Sequence, residues 1–278
     1  MRFSSCLAFA AAMLAWTPQA FAQPASSTAQ PQAYLDAIAV SDADGRMLRF
    51  ETPVCPLAYG LPDQLNSEIT NRMRSVAAAA GAMVMPAGCK ANLLLFVPRD
   101  RKQLLAKLRQ GRPEIFGRMT DLEIGALANS AGPALAWQVL KQRGADGREL
   151  SGAWREGQPL IQESVTNSRL IPSARSVLDT SVIVLDAQSA VGLTPTELAD
   201  YAIMRGLAQT REPSGAGPGA ATILTIFRDK DRGTPAALSL TAIDLAYLKS
   251  LYRSVSATFE NPRRSELEAE MKRVLPNP

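Results

Sequence analysis

Two carboxylates stand one helical turn apart in Thr196-Glu197-Leu198-Ala199-Asp200. Side chains at that spacing share a helix face, and the chemistry they would serve is that of a hydrolase using carboxylates. Glu197 and Asp200 are therefore the candidate catalytic residues. Asp186 is a third carboxylate of interest, because it closes the apolar run Ser181–Asp186 and α/β proteins often place functional groups at strand ends. Each group also has a structural reading. Thr194-x-x-Glu197 is a capping box, in which the Glu bonds the backbone of its own helix start and contributes about 1 kcal/mol. A strand-end Asp is common turn chemistry.

The other chemistries are narrowed by one count: the chain contains no histidine. Ser-His-Asp and Cys-His nucleophile systems need an imidazole base. Histidine-ligated zinc, copper and non-haem iron are excluded for the same reason. No serine has lysine three positions on, so a Ser-x-x-Lys dyad is absent. Gly-x-Gly-x-x-Gly and Gly-x-Ser-x-Gly are absent too, and the glycine-rich stretch Ser214–Ala220 lacks the Gly-Lys-Ser/Thr of a P-loop. No cofactor is indicated. Asp44-Gly45 resembles part of a calcium loop without its distal Glu, and reads as a turn.

The elements that must position these residues follow from periodicity. Leu65, Ile69, Met73, Val76 and Ala80 fall on one face and predict a helix over 63–80, with Asp63 as its cap and Gly81 as its end. Asn92–Val97 and Ser181–Asp186 read as buried strands, and 134–142 as a further strand turning at Gly144–Gly147. Thr194, Pro195 and Glu197 mark the start of a helix over 194–209. Helices are also expected over 241–255 and 263–274. Residues 38–40 and 47–50 read as strands around a turn. Thr222–Phe227 is a short apolar segment, and 152–175 is irregular. The expected fold is α/β (or α+β), a mixed sheet with covering helices, in one domain over 35–275.

Residues 99–118 concentrate positive charge in Arg99, Arg101, Lys102, Lys107, Arg109, Arg112 and Arg118, and Leu104, Leu105 and Leu108 make the middle an amphipathic helix. A solvated helix face explains the pattern. An anionic envelope component contacting Arg99, Arg101, Lys102, Lys107 and Arg109 is the functional alternative. The net charge, +4 for the whole chain and +3 once Arg2 is removed with the first 22 residues, is too mild to indicate nucleic acid or an anionic membrane as a partner.

Residues 1–22 have the layout of a cleavable signal peptide: Arg2, an apolar run from Cys6 to Trp16, a polar break, and Ala20-Phe21-Ala22. The run is too short to span a bilayer, which takes about 20 helical residues. Cleavage after Ala22 would place the chain in the periplasm or outside the cell, with 23–34 as a flexible leader and no transmembrane segment in the mature chain. It would also remove Cys6 and leave Cys55 and Cys89. In an oxidising compartment such a pair forms a disulfide, the alternatives being two buried thiols or an intermolecular link. The bridge would close a loop of about 35 residues and contribute about 4 kcal/mol in the chain-entropy model.

The order helix, strand, hairpin, strand, capped helix, loop, helix resembles the core of zinc-dependent metallopeptidases, the zincins. It is similar also to a set of secreted bacterial proteins of unknown function that share that core. The resemblance covers Asn92–Val97, Val182–Asp186, Thr194–Gln209 and Ile226–Tyr252. In a zincin the helix after the last core strand carries His-Glu-x-x-His, two zinc ligands flanking a general base. Here Glu197 matches while Thr196 and Asp200 occupy the ligand positions, so neither the zinc nor the peptidase activity carries over.

These observations lead to three expectations. The first is an exported, non-catalytic binding or scaffold protein on a degenerate zincin-like fold. The second is a carboxylate-dependent hydrolase using Glu197 and Asp200. The third is an envelope-associated structural protein using the basic 99–118 segment.

Overall fold

The computed structural model describes residues 30–42, 45–144, 148–150, 154–155, 158–159, 174–214, 221–253 and 261–275. The signal-like segment, the Gly144–Gly147 turn beyond Gly144, most of 152–173 and the loop 215–220 lie outside them.

A four-stranded mixed sheet divides the protein into layers. Its strands are β1 (Pro56–Tyr59), β2 (Leu93–Phe96), β3 (Ala134–Gly144) and β6 (Ala174–Leu185), in the order β1-β2-β6-β3. β1, β2 and β6 run parallel, and β3 closes one edge antiparallel to β6. A separate short ladder joins β4 (Trp154–Arg155) and β5 (Gln158–Pro159). This is the expected α/β class in one domain. β2 and the C-terminal half of β6 are central strands buried on both faces, so they read as continuous apolar runs without alternation.

One face of the sheet carries α1 (Gln30–Ile38), α2 (Asp63–Ala80), α6 (Pro195–Gly206), α7 (Ile226–Arg232), α8 (Ala242–Arg253) and α9 (Arg264–Val274), which enclose the larger core. The other face carries α3 (Arg101–Gly111), a 3-10 turn at Pro113–Phe116 and α4 (Asp121–Asn129). These pack on Leu94, Leu135, Trp137, Val182 and Val184. The short α5 (Ala187–Ala190) follows β6.

α6 lies deepest. Its residues Glu197 to Met204 are all buried. Gly206 lets it close on the sheet, since a Cβ there would come within 3.0 Å of Ile183 and 3.2 Å of Leu93. Gly60, at φ 110°, turns the chain from β1 into α2, and a Cβ there would overlap the Val97 carbonyl at 2.6 Å.

Several expectations are corrected. The segment expected as leader overlaps α1, where Tyr34 is fully buried. Residues 38–40 and 47–50 make isolated bridges, Ala39 to Thr210, Ser41 to Met47 and Phe50 to Leu178, instead of ladders. The turn between them is present: the Asp42 carboxylate accepts from Arg46 N at 2.9 Å, and Gly45 takes φ 73°. Asp63 opens α2 without capping it; the N-cap position is Pro62. Thr222–Phe227 is a 3-10 turn running into α7. α4, with a capping box formed by Thr120 and Glu123, had no counterpart among the expected elements.

Candidate functional site

Thr194 and Pro195 start α6, and Glu197 turns back onto that start. Its Oε2 accepts from Thr194 N at 2.6 Å and from Thr194 Oγ1 at 2.8 Å, while Glu197 N donates to Thr194 Oγ1 at 3.2 Å. Only 6% of the residue is exposed. Of the two readings of Glu197, the structure displays the capping box.

Asp200 is fully buried one turn later. Arg72 of α2 meets it side-on, with Nε 2.8 Å from Oδ1 and Nη2 2.8 Å from Oδ2. Oδ2 also accepts from Ser239 Oγ at 2.8 Å and from Leu240 N at 2.8 Å. The carboxylate thus joins α6, α2 and the segment before α8. The pair also raises the Arg72 pKa, chiefly through the hydrogen bonds to Asp200. Glu197 and Asp200 share a helix but no hydrogen-bond partner. Neither lines the cavity between Phe116–Met119 and β3 or the one between Gln32, Asp36 and Arg263–Glu268.

Asp186 ends β6 as expected, and its partner changes the picture of the basic segment. Arg101 donates through Nε to Oδ1 at 3.0 Å and through Nη2 to Oδ2. Its remaining N–H groups reach the carbonyls of Ser130 at 3.0 Å and Gly132 at 2.6 Å. Arg101 is only 9% exposed. It is a buried clamp on the chain entering β3, and it does not belong to a surface patch. Arg109 pairs with Asp121 and Arg112 with Glu114. Arg99, Lys102 and Lys107 stay exposed.

A further buried carboxylate, Asp244, escaped the sequence analysis. It accepts from Tyr34 Oη, from Thr222 Oγ1 at 2.6 Å, from Ile223 N at 2.9 Å and from Thr241 N at 3.0 Å. Four donors and no cation hold it among the described residues. Its sequence signal is slight: Thr241-x-x-Asp244 has the form of a helix start, and nothing in it indicates burial.

Cys55 and Cys89 form a disulfide with their Cα atoms 6.1 Å apart. No three Asp, Glu or Cys side chains among the described residues converge on a metal-sized site. No helix among them is long and apolar enough to cross a membrane. Comparison with protein families, with curated proteins and with solved structures finds no match to this chain.

Proposed function

We infer that this chain is an exported protein of the periplasm or extracellular space that acts by binding or as a scaffold, on a zincin-like core that has lost His-Glu-x-x-His. One observation carries the inference: the carboxylates in the helix that would hold the zincin motif serve the fold. Asp200 directs both oxygens to Arg72, Ser239 and Leu240 N, and Glu197 caps α6. A general base needs an oxygen within reach of the proton it removes. The disulfide supports an oxidising compartment.

Turnover is tested on panels of peptide, ester and glycoside substrates, with Glu197→Gln in parallel. Gln keeps the capping geometry but not the base. No turnover by either protein is the expected result. Turnover that disappears in Glu197→Gln would establish the carboxylate hydrolase instead. Export is tested by intact mass: the expected exported form begins at Gln23, and an uncleaved chain retained in the cytoplasm would refute it.

A further inference from the structure

Among the described residues, no helix covers the β1 end of the sheet face under α3 and α4. Register places Leu57 beside Leu94 and Tyr59 beside Phe96, so all four side chains share that face. Leu94 is buried beneath the helices, whereas Leu57 is 44% and Tyr59 64% exposed at the β1 edge. The Tyr59 ring meets Phe96 edge-on at 6.3 Å. Beyond β1 the chain at 83–85 extends the same surface. Val54 N donates to Met83 O and Met85 N to Val54 O, forming a parallel bridge between Val54 and Val84. Val54 and Val84 both pack on the larger core, so alternation turns Met83 and Met85 to the Leu57 side. Met83 is 58% and Met85 41% exposed. Strands lie about 4.8 Å apart and rise about 3.3 Å per residue, which brings Met85 within side-chain reach of Leu57. By contrast, the exposed Leu122 and Leu238 belong to α4 and to the segment before α8.

Exposed cations flank this apolar surface. Lys90 follows Cys89, which is bonded to Cys55 on the same strand segment as Leu57. Arg99 and Lys102 lie just beyond Phe96, at the end of β2 and the start of α3. None of the three has an ion-pair partner among the described residues. Asp100 accepts from Gln103 N at 3.0 Å as the cap of α3, and Glu114 pairs with Arg112; that hydrogen bond chiefly, with the charges of Arg112 and of Lys90, lowers the Glu114 pKa, so Lys90 is close enough to feel this carboxylate without forming an ion pair with it.

The same edge is a poor template for a peptide strand. Pro56 has no N–H, and the outward Ala58 N–H is taken by Thr70 Oγ1 at 2.9 Å. The surface therefore offers apolar side chains, an amphipathic Tyr and exposed cations, with little directional backbone bonding. Those properties suit a fluid anionic interface better than a partner of fixed geometry. We propose that Leu57, Tyr59, Met83 and Met85 insert into an anionic phospholipid surface, with Lys90, Arg99 and Lys102 against the headgroups. This rests on the binding role inferred above and assigns it a partner.

Cosedimentation of the chain from Gln23 with vesicles tests the proposal. This chain keeps every described contact and lacks the Cys6–Trp16 run, which could itself insert. Binding is expected to phosphatidylglycerol-rich vesicles and not to pure phosphatidylcholine, weakening as salt is raised. The double variant Leu57→Ser/Tyr59→Ser should bind about tenfold more weakly, as should Lys90→Glu/Lys102→Glu, whose substitutions leave the apolar core untouched. Leu238→Ser, remote from the patch, should bind as the parent does. Far-ultraviolet circular dichroism identifies any variant that fails to fold. Three outcomes would overturn the proposal: no binding to anionic vesicles, equal binding by the folded patch variants, or patch-dependent retention on an acidic polypeptide with the vesicles ignored. None of them touches the export and turnover tests, so the binding role can stand while this partner fails.

Discussion

A fully buried carboxylate needs hydrogen-bond partners for its oxygens, and Asp200 finds them in Arg72, Ser239 and Leu240 N. Asp200→Asn keeps the shape but removes the charge and leaves Arg72 facing an amide. Loss of a buried pair costs about 3–5 kcal/mol when both partners are enclosed. Arg72 is 39% exposed and can turn to water, so the expected loss is smaller, about 2 kcal/mol by urea unfolding. An unchanged midpoint would show that the pair does not stabilise the fold. Glu197→Ala should cost about 1 kcal/mol by the same measurement, whereas Glu197→Gln should recover most of it because an amide oxygen can still accept from Thr194 N. The capping role was legible because every partner lies within three positions. The Asp200–Arg72 pair was not, because its partners are 128 positions apart and nothing local joins them. Arg101 misled for a related reason: a charge count over 99–118 does not say which cation turns inward to Asp186.

At the scale of elements, legibility followed apolar periodicity and length. α2 was found at its observed bounds because a full stripe of Ile69, Met73, Val76 and Ala80 is buried and Gly81 adopts the left-handed conformation that ends it. β2 and the C-terminal half of β6 were found because both are buried on both faces and uniformly apolar; Ala174–Thr180, the first half of β6, mixes polar and apolar residues and was not read as strand. α1 was missed because Gln30–Ile38 follows a leader-like composition and draws its order from tertiary contacts. Tyr34, Leu35 and Ile38 are fully buried, and Tyr34 donates to Asp244. The anchoring can be tested directly. Tyr34→Phe keeps the ring packed near Tyr247 and removes one of four donors to a buried carboxylate. The expected cost is about 2 kcal/mol, in the range for hydrogen bonds to charged groups. Limited proteolysis should cut the variant earlier at 30–42 than elsewhere. Equal stability and an unchanged cleavage pattern would mean that α1 is held by apolar contact alone.

Across the whole molecule, two long-range features set the response to conditions. The disulfide spans 34 positions and ties the entry to β1 to the turn before β2. Its reduction should lower stability by about 4 kcal/mol, a drop in Tm of about 10 °C for a domain of this size; a drop within error would mean that the ends of this loop are held close without it. The second feature is the phenols. The chain has five tyrosines, and burial raises the pKa of Tyr34, Tyr201, Tyr247 and Tyr252. At Tyr34 the neighbouring Asp244 adds to burial, and at Tyr201 Glu212 does. A phenol in the unfolded chain ionises near pH 10. Above that pH the unfolded state has released protons that the native state still binds, so stability must fall as pH rises. The contribution of these tyrosines is fully present below about pH 10 and is lost as pH climbs through their raised native values. Each can steepen the fall by up to about 1.4 kcal/mol per pH unit. Urea midpoints should therefore hold level to about pH 9.5 and then decline steeply, with the phenolate absorbance of these four appearing together with unfolding. Ionisation of all four in the folded protein near pH 10, seen as absorbance without loss of circular dichroism, would show that their rings are open to solvent and that the core packs less tightly than the contacts of Tyr34, Tyr201 and Tyr252 require.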